Sequence, residues 1–293
     1  MGETESDETR LARRIVAYPL SLTAIGLVMV VFAAIVASNL ANLAHLPPEA
    51  PLRIVGALFV AACSILAYKA FKRWVEQAPD RELPLRGALT ELPAGLLFGF
   101  LLFSAMAGAV MLLGGLHVQG VRGGIGQFWS VLGMAIVSGV TEETIFRGIL
   151  LRQIERLLGT WWALAITSAF FGFAHLLNPG ATFFAGFAIT MEAGILLGAC
   201  YLVTRRLWLP IGLHAAWNFT QGWVFSVPVS GGAAPQGLLV TSRTGPDWLT
   251  GGAFGLEASA VALVVAMLAG LVMLWVAIRR GRILPPSWRR TDI

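Results

Sequence analysis

Two adjacent carboxylates, Glu142 and Glu143, stand in TEETIFRGILLR, an otherwise apolar stretch, with Arg147 four residues behind Glu143. Further along come His175, Glu192 and His214, and Asn218 follows His214 by four residues. These types are the working parts of hydrolysis. A carboxylate in a low-dielectric site can be raised toward neutrality and act as a general base. An imidazole can share or relay the proton or ligate a metal, and amide and ring N–H groups can steady a developing oxyanion.

The chain around them is written for lipid. Of its 293 residues 57% are hydrophobic and 13% charged, with a mean hydropathy of +0.75. A soluble domain carries about 25% charged residues. Charged groups at the centre of a bilayer cost roughly 2.5–3.5 kcal/mol each on insertion scales, so those that remain there mark function. The net charge of +5 is dispersed, without the aromatic interleaving of a nucleic-acid groove, and no nucleic-acid partner is expected. Cys63 and Cys200 sit in apolar runs with no CxxC spacing, so neither a disulfide framework nor a thiolate metal site is expected. Residues 1–14 are polar and mixed in charge, and the apolar run after them is too long for a secretory signal.

A spanning helix needs about 20 mostly apolar residues. Eight segments qualify: 18–40, 52–70, 92–115, 127–151, 161–178, 181–203, 207–226 and 257–279. HLPPEAP at 45–51, EQAPDRELPLR at 76–86 and NPG at 178–180 break them, and a Gly/Pro/Ser-rich stretch opens at 226. With the N-terminus inside, 18 of the 21 basic residues fall at cytoplasmic ends, leaving Arg53, Arg122 and Arg243 outside. The expected fold is therefore all-α, a polytopic integral membrane protein of about eight helices with both termini cytoplasmic. Its parts are a cytoplasmic segment 1–17, three helices over 18–115, a catalytic core over 125–226, an outer loop 227–256, and a last helix with a basic tail over 257–293.

Depth along the helices brings the polar residues near one level. At about 1.5 Å per residue, Glu142 lies ~15 Å from the boundary at Arg152 and His214 ~12 Å from that at Arg206. His175 lies ~22 Å past Thr160, which agrees only if its helix tilts or starts below the boundary. Each residue alone also suits a bland role. Glu143 and Arg147 make an i,i+4 ion pair, a lone buried histidine makes a helix–helix contact, and Gly194-x-x-x-Gly198 is a packing motif. The group would leave many polar atoms to satisfy without purpose.

Together the residues resemble a known family, the CPBP intramembrane proteases, which include the type II CAAX prenyl endopeptidases and the Abi-type bacteriocin-processing proteins. Its pattern of EExxxR, FxxxH and HxxxN matches Glu142–Arg147, Phe171–His175 and His214–Asn218, in order. The resemblance covers about 125–225, and TGGAFGLEAS at 250–259 resembles a stretch that follows the motifs in bacterial members. It implies hydrolysis of a peptide bond in a membrane-associated substrate, prenylated or helical, within the bilayer of a prokaryotic plasma (inner) membrane. On that reading Glu142 activates water with His175, His214 and Asn218 donate to the oxyanion, and Glu143 and Arg147 support them. Glu142, His175 and His214 also make a two-His-one-carboxylate set for a divalent metal such as zinc. HExxH is absent, and the balance falls slightly toward a metal-free glutamate mechanism. Two other readings stay open: a proton-coupled transporter, disfavoured by the lack of an internal repeat, and a non-catalytic immunity-type membrane protein.

Overall fold

The computed structural model describes residues 15–290; the expected N-terminal segment lies outside these except for its last three residues. Helix α1 spans Pro19–Asn42, and α2 spans Arg53–Ala70 with a π-type extension over Phe71–Val75. Helix α3 spans Leu85–Leu112. Helix α4 begins at Phe128–Glu143, widens into a π-type segment at Thr144–Leu151, and runs on through 152–158. Gly159, at φ 76°, breaks the rod and α5 follows over 160–174, ending in a turn at His175–Leu177. Helix α6 comprises Phe183–Ile189, a π-type turn at Thr190–Gly194, and Ile195–Thr204. Helix α7 comprises Trp208–Phe219 and a π-type turn at Thr220–Val224, and α8 spans Ala260–Arg279.

These rods coincide with the eight apolar segments apart from shifted ends. Six continuous helical stretches among the described residues are long and apolar enough to cross a membrane. One of them, Phe128–Leu177, runs 50 residues through the Gly159 break. The largest departures are the end of α4, carried on from 151 to 158, and the start of α3, at Leu85 where hydropathy put 92. Arg86, Glu91 and Pro93 lower the apolarity of its first turns without stopping it. Pro93 is tolerated inside a helix whose neighbours cover it. The expected last segment also starts late: 256–258 form a short turn, so Glu257 precedes α8.

Lipid supplies no hydrophobic drive between helices, so contact is made where side chains are small. Helices α3 and α7 meet at Gly95, Gly99 and Gly212, and a Cβ on Gly95 would stand 2.3 Å from the Leu209 carbonyl oxygen. At Gly139 of α4 a Cβ would lie 3.0 Å from the Ile211 carbonyl oxygen of α7. Gly194 and Gly198 likewise press α6 onto Ser168 and Leu164 of α5. These contacts bring α4 to α7 and α5 to α6, the helices that carry the chemistry-bearing residues.

The two ends of the bundle differ. At one end Lys72, Glu76, Glu82, Arg152, Glu155 and Arg205 interlock. At the other, the segment expected as an outer loop is folded. Strand β1 (Leu116–Val121) pairs antiparallel with β2 (Leu239–Arg243), and a helical turn follows at Asp247–Thr250. Arg122 there donates to the Gly237 carbonyl. The small sheet is an addition to an otherwise all-α fold.

Candidate active site

Glu143 is fully buried and is the anchor of the site. Its Oε1 accepts from Arg147 Nη1 at 2.9 Å and from His214 Nδ1 at 2.8 Å. The acceptor is a carboxylate, so Nδ1 carries the hydrogen and the ring's other nitrogen is set free. That nitrogen, Nε2, lies 3.9 Å from Glu142 Oε2. Arg147 is held in turn by the carbonyl oxygens of Ala193 and Gly194 at 3.1 and 3.2 Å. One chain of contacts thus ties α6 to α4 and α4 to α7.

His175 enters from the end of α5. Its Nδ1 donates to the Phe171 carbonyl at 2.7 Å, so Nε2 is its free nitrogen. Phe171 is the pivot of the group. Its ring centroid lies 4.9 Å from that of His175 and 6.1 Å from that of His214, and the Arg147 guanidinium stands 4.7 Å from its centroid. His175, His214 and Asn218 line one cavity of about 40 Å³, enough for one or two waters. Asn218 Nδ2 donates to Ser138 Oγ at 2.9 Å, leaving its second N–H unused by that contact.

Glu142 is the most open member, its side chain 32% exposed. With Ser138, Thr141, Ser38 and Asn39 it lines a groove of about 520 Å³ between α1 and α4. His214 and Asn218 line the cavity, and their contacts with Glu142 and Ser138 join it to the groove side.

All six residues singled out by spacing therefore fall in one connected region, with Glu142 on its groove side and His175 on its cavity side. The metal set fits less well. Among the described residues no three His, Cys, Asp or Glu side chains converge as a metal site, Glu142, His175 and His214 included. The Nδ1 contacts of His214 and His175 do not count against a metal, since they leave both Nε2 atoms free. Sequence reasoning missed Ser138, the pivotal place of Phe171, and Glu257, which lines the cavity with Glu192. Phe171 was visible in its motif and Glu257 lies in the stretch at 250–259 that resembles bacterial members; Ser138 had no local signal.

The architecture is that of an integral membrane protein built from apolar helices around a polar interior. Residues 124–220 match the family model described as type II CAAX prenyl endopeptidase Rce1-like, and this segment contains all three motifs. Over that length the resemblance to the CPBP proteases is shown. The match covers 97 of the 293 residues, and the likeness to CAAX-type intramembrane proteases is that of this segment. No curated protein and no solved structure compared with the chain gave a match.

Proposed function

We propose that the protein cleaves a peptide bond of a membrane-associated substrate by glutamate-activated water, at a site entered through the groove between α1 and α4. The observation that carries this is the orientation of His214: Glu143 holds one nitrogen at 2.8 Å and the other faces Glu142 at 3.9 Å.

On this reading a water at Glu142 loses its proton to the carboxylate and attacks the scissile carbonyl. Negative charge then develops on the carbonyl oxygen. The second N–H of Asn218 donates to it, and His214 does so from Nε2 when its ring is charged. Collapse of the tetrahedral intermediate breaks the C–N bond, and the proton held by Glu142 passes to the leaving amine. His175 positions the water from the cavity side through its free Nε2. Arg147 offsets the charge of Glu143, so a buried carboxylate can orient His214 without isolation in lipid.

We further propose that the basic end is cytoplasmic, in the plasma membrane of a prokaryote. The positive-inside asymmetry supports this, and it lets a prenylated or helical peptide reach the site from the cytoplasmic leaflet.

The test is cleavage of a prenylated CAAX peptide library by the purified protein, read by mass spectrometry. Glu142→Gln and His175→Ala are each expected to lower turnover by about 10²–10⁴-fold, the usual contribution of a general acid–base group. Their thermal stability should stay close to that of the wild type. Wild-type turnover by either variant removes that residue from the mechanism.

A further inference from the structure

The cavity that holds His175, His214 and Asn218 is also lined by Glu192 and Glu257, which none of the three motifs contains. Glu192 comes from the π-type turn of α6, a kind of helix defect frequent at functional sites. Glu257 comes from the turn before α8. They are 2% and 5% exposed, and one oxygen of each, Oε2, has no hydrogen-bond partner. The other oxygen of Glu257 accepts from the backbone N–H of Ser230 at 2.5 Å.

The segment expected as an outer loop builds this contact. Gly231 N donates to the Phe254 carbonyl, which folds 226–232 back over 251–257. Gly255 has φ 131°, and a Cβ there would stand 2.7 Å from Glu257 Oε2. Only glycine leaves that oxygen its place.

Among the described residues no cation forms an ion pair with either carboxylate. Arg147 is committed to Glu143 and to two carbonyls of α6. Arg243 donates to the carbonyls of Thr250 and Gly252. No set of three ligands completes a metal site among the described residues. Buried carboxylate oxygens without a partner are costly, and a ligand that supplies donors and positive charge relieves that cost.

We propose that Glu192 and Glu257 form the recognition site for a primary ammonium group, so that the preferred substrate carries a lysine side chain next to the bond cut. A cavity of about 40 Å³ admits an ammonium group, which is close to a water in size, more readily than a planar guanidinium. This deepens the proteolytic reading and rests on it for the substrate, whereas the ammonium site itself does not.

Two measurements separate the claims. In detergent, n-butylammonium chloride should raise the melting temperature of the wild-type protein, while n-butanol and choline chloride at equal concentration should not. The shift should vanish in Glu192→Gln/Glu257→Gln. Equal shifts from butylammonium and butanol in the wild type overturn the site, whether or not the double variant folds. For cleavage, peptides that differ only by lysine, acetyl-lysine or norleucine are compared. The wild type should favour lysine by about thirtyfold in kcat/KM, the low end of what losing a buried charge partner costs. Glu257→Gln should bring that ratio near one. A ratio near one in the wild type overturns the substrate preference and leaves proteolysis standing. Butylammonium binding without cleavage of any peptide overturns proteolysis, and the lysine preference with it, but keeps the ammonium site.

Discussion

Two sets of carboxylates in this molecule are treated in opposite ways. At the basic end Glu76 is gripped by crowded cations: Arg152 binds both of its oxygens and Lys72 lies 3.3 Å away. Glu155 accepts from Arg205 at 2.5 and 3.1 Å and from the Thr160 hydroxyl at 2.5 Å. In the interior, Glu142, Glu143, Glu192 and Glu257 each keep a buried oxygen without a partner. The first set ties helix ends together. The second keeps acceptors unspent, which stability alone does not favour and chemistry or binding does.

The contrast can be broken most sharply at Glu143, which belongs to both worlds. Glu143→Gln keeps the shape but removes the charge beside Arg147, and its amide can donate as well as accept, so the His214 tautomer is no longer fixed. Turnover is expected to fall roughly ten-thousandfold, by analogy with the loss of an orienting carboxylate from a catalytic histidine. Denaturation in detergent should show a loss of about 3–5 kcal/mol, the usual result of stranding one member of a buried pair. Full activity in a folded Glu143→Gln protein would detach His214 from the site.

Arg152→Gln should instead separate the two regions. It removes the two-oxygen partner of Glu76 but leaves Lys72 in place and the interior untouched, so stability should fall by about 1.5–3 kcal/mol while turnover per folded molecule is retained. A parallel collapse of activity would mean that the two regions are coupled.

The smallest effect is on acid tolerance. Burial raises the Glu76 carboxyl, but the hydrogen bond and charge of Arg152, with Lys72, outweigh it and hold the group below its ordinary value. A carboxyl lowered on folding stabilises the protein above its unfolded value, about 4.3. That contribution is lost as pH falls through the lowered folded value. Glu76→Gln should flatten the stability–pH curve below about pH 4.3 and lower it above. An unchanged acid slope in the variant would remove Glu76 as its source.

Much of the site was legible because its members lie one helical turn apart. Glu143 and Arg147, Phe171 and His175, and His214 and Asn218 are each spaced by four, and each pair shares a helix face. The pairing of Glu143 with His214 spans 71 residues and depends on how closely α4 meets α7 at Gly139, which no local pattern encodes. Glu257 was hidden for a related reason. It reads as the first residue of an apolar run, yet belongs to a turn shaped by Gly255 and Ser230. Strand β1, LHVQGV, mixes polar residues and a glycine, and β2 is five residues long. Neither shows the alternation that announces a strand.

The widened turns in α4, α6 and α7 carry a last consequence. Each holds more residues per turn than an ordinary α-helix, so it resets the angular phase of everything beyond it. Deleting a single residue from 144–151 would swing the downstream part of α4 by roughly 100°. Arg152 would then leave Glu76 and face hydrocarbon, although no side chain at either end had been changed. The phase of these rods is thus as much a part of the inheritance as the side chains they display.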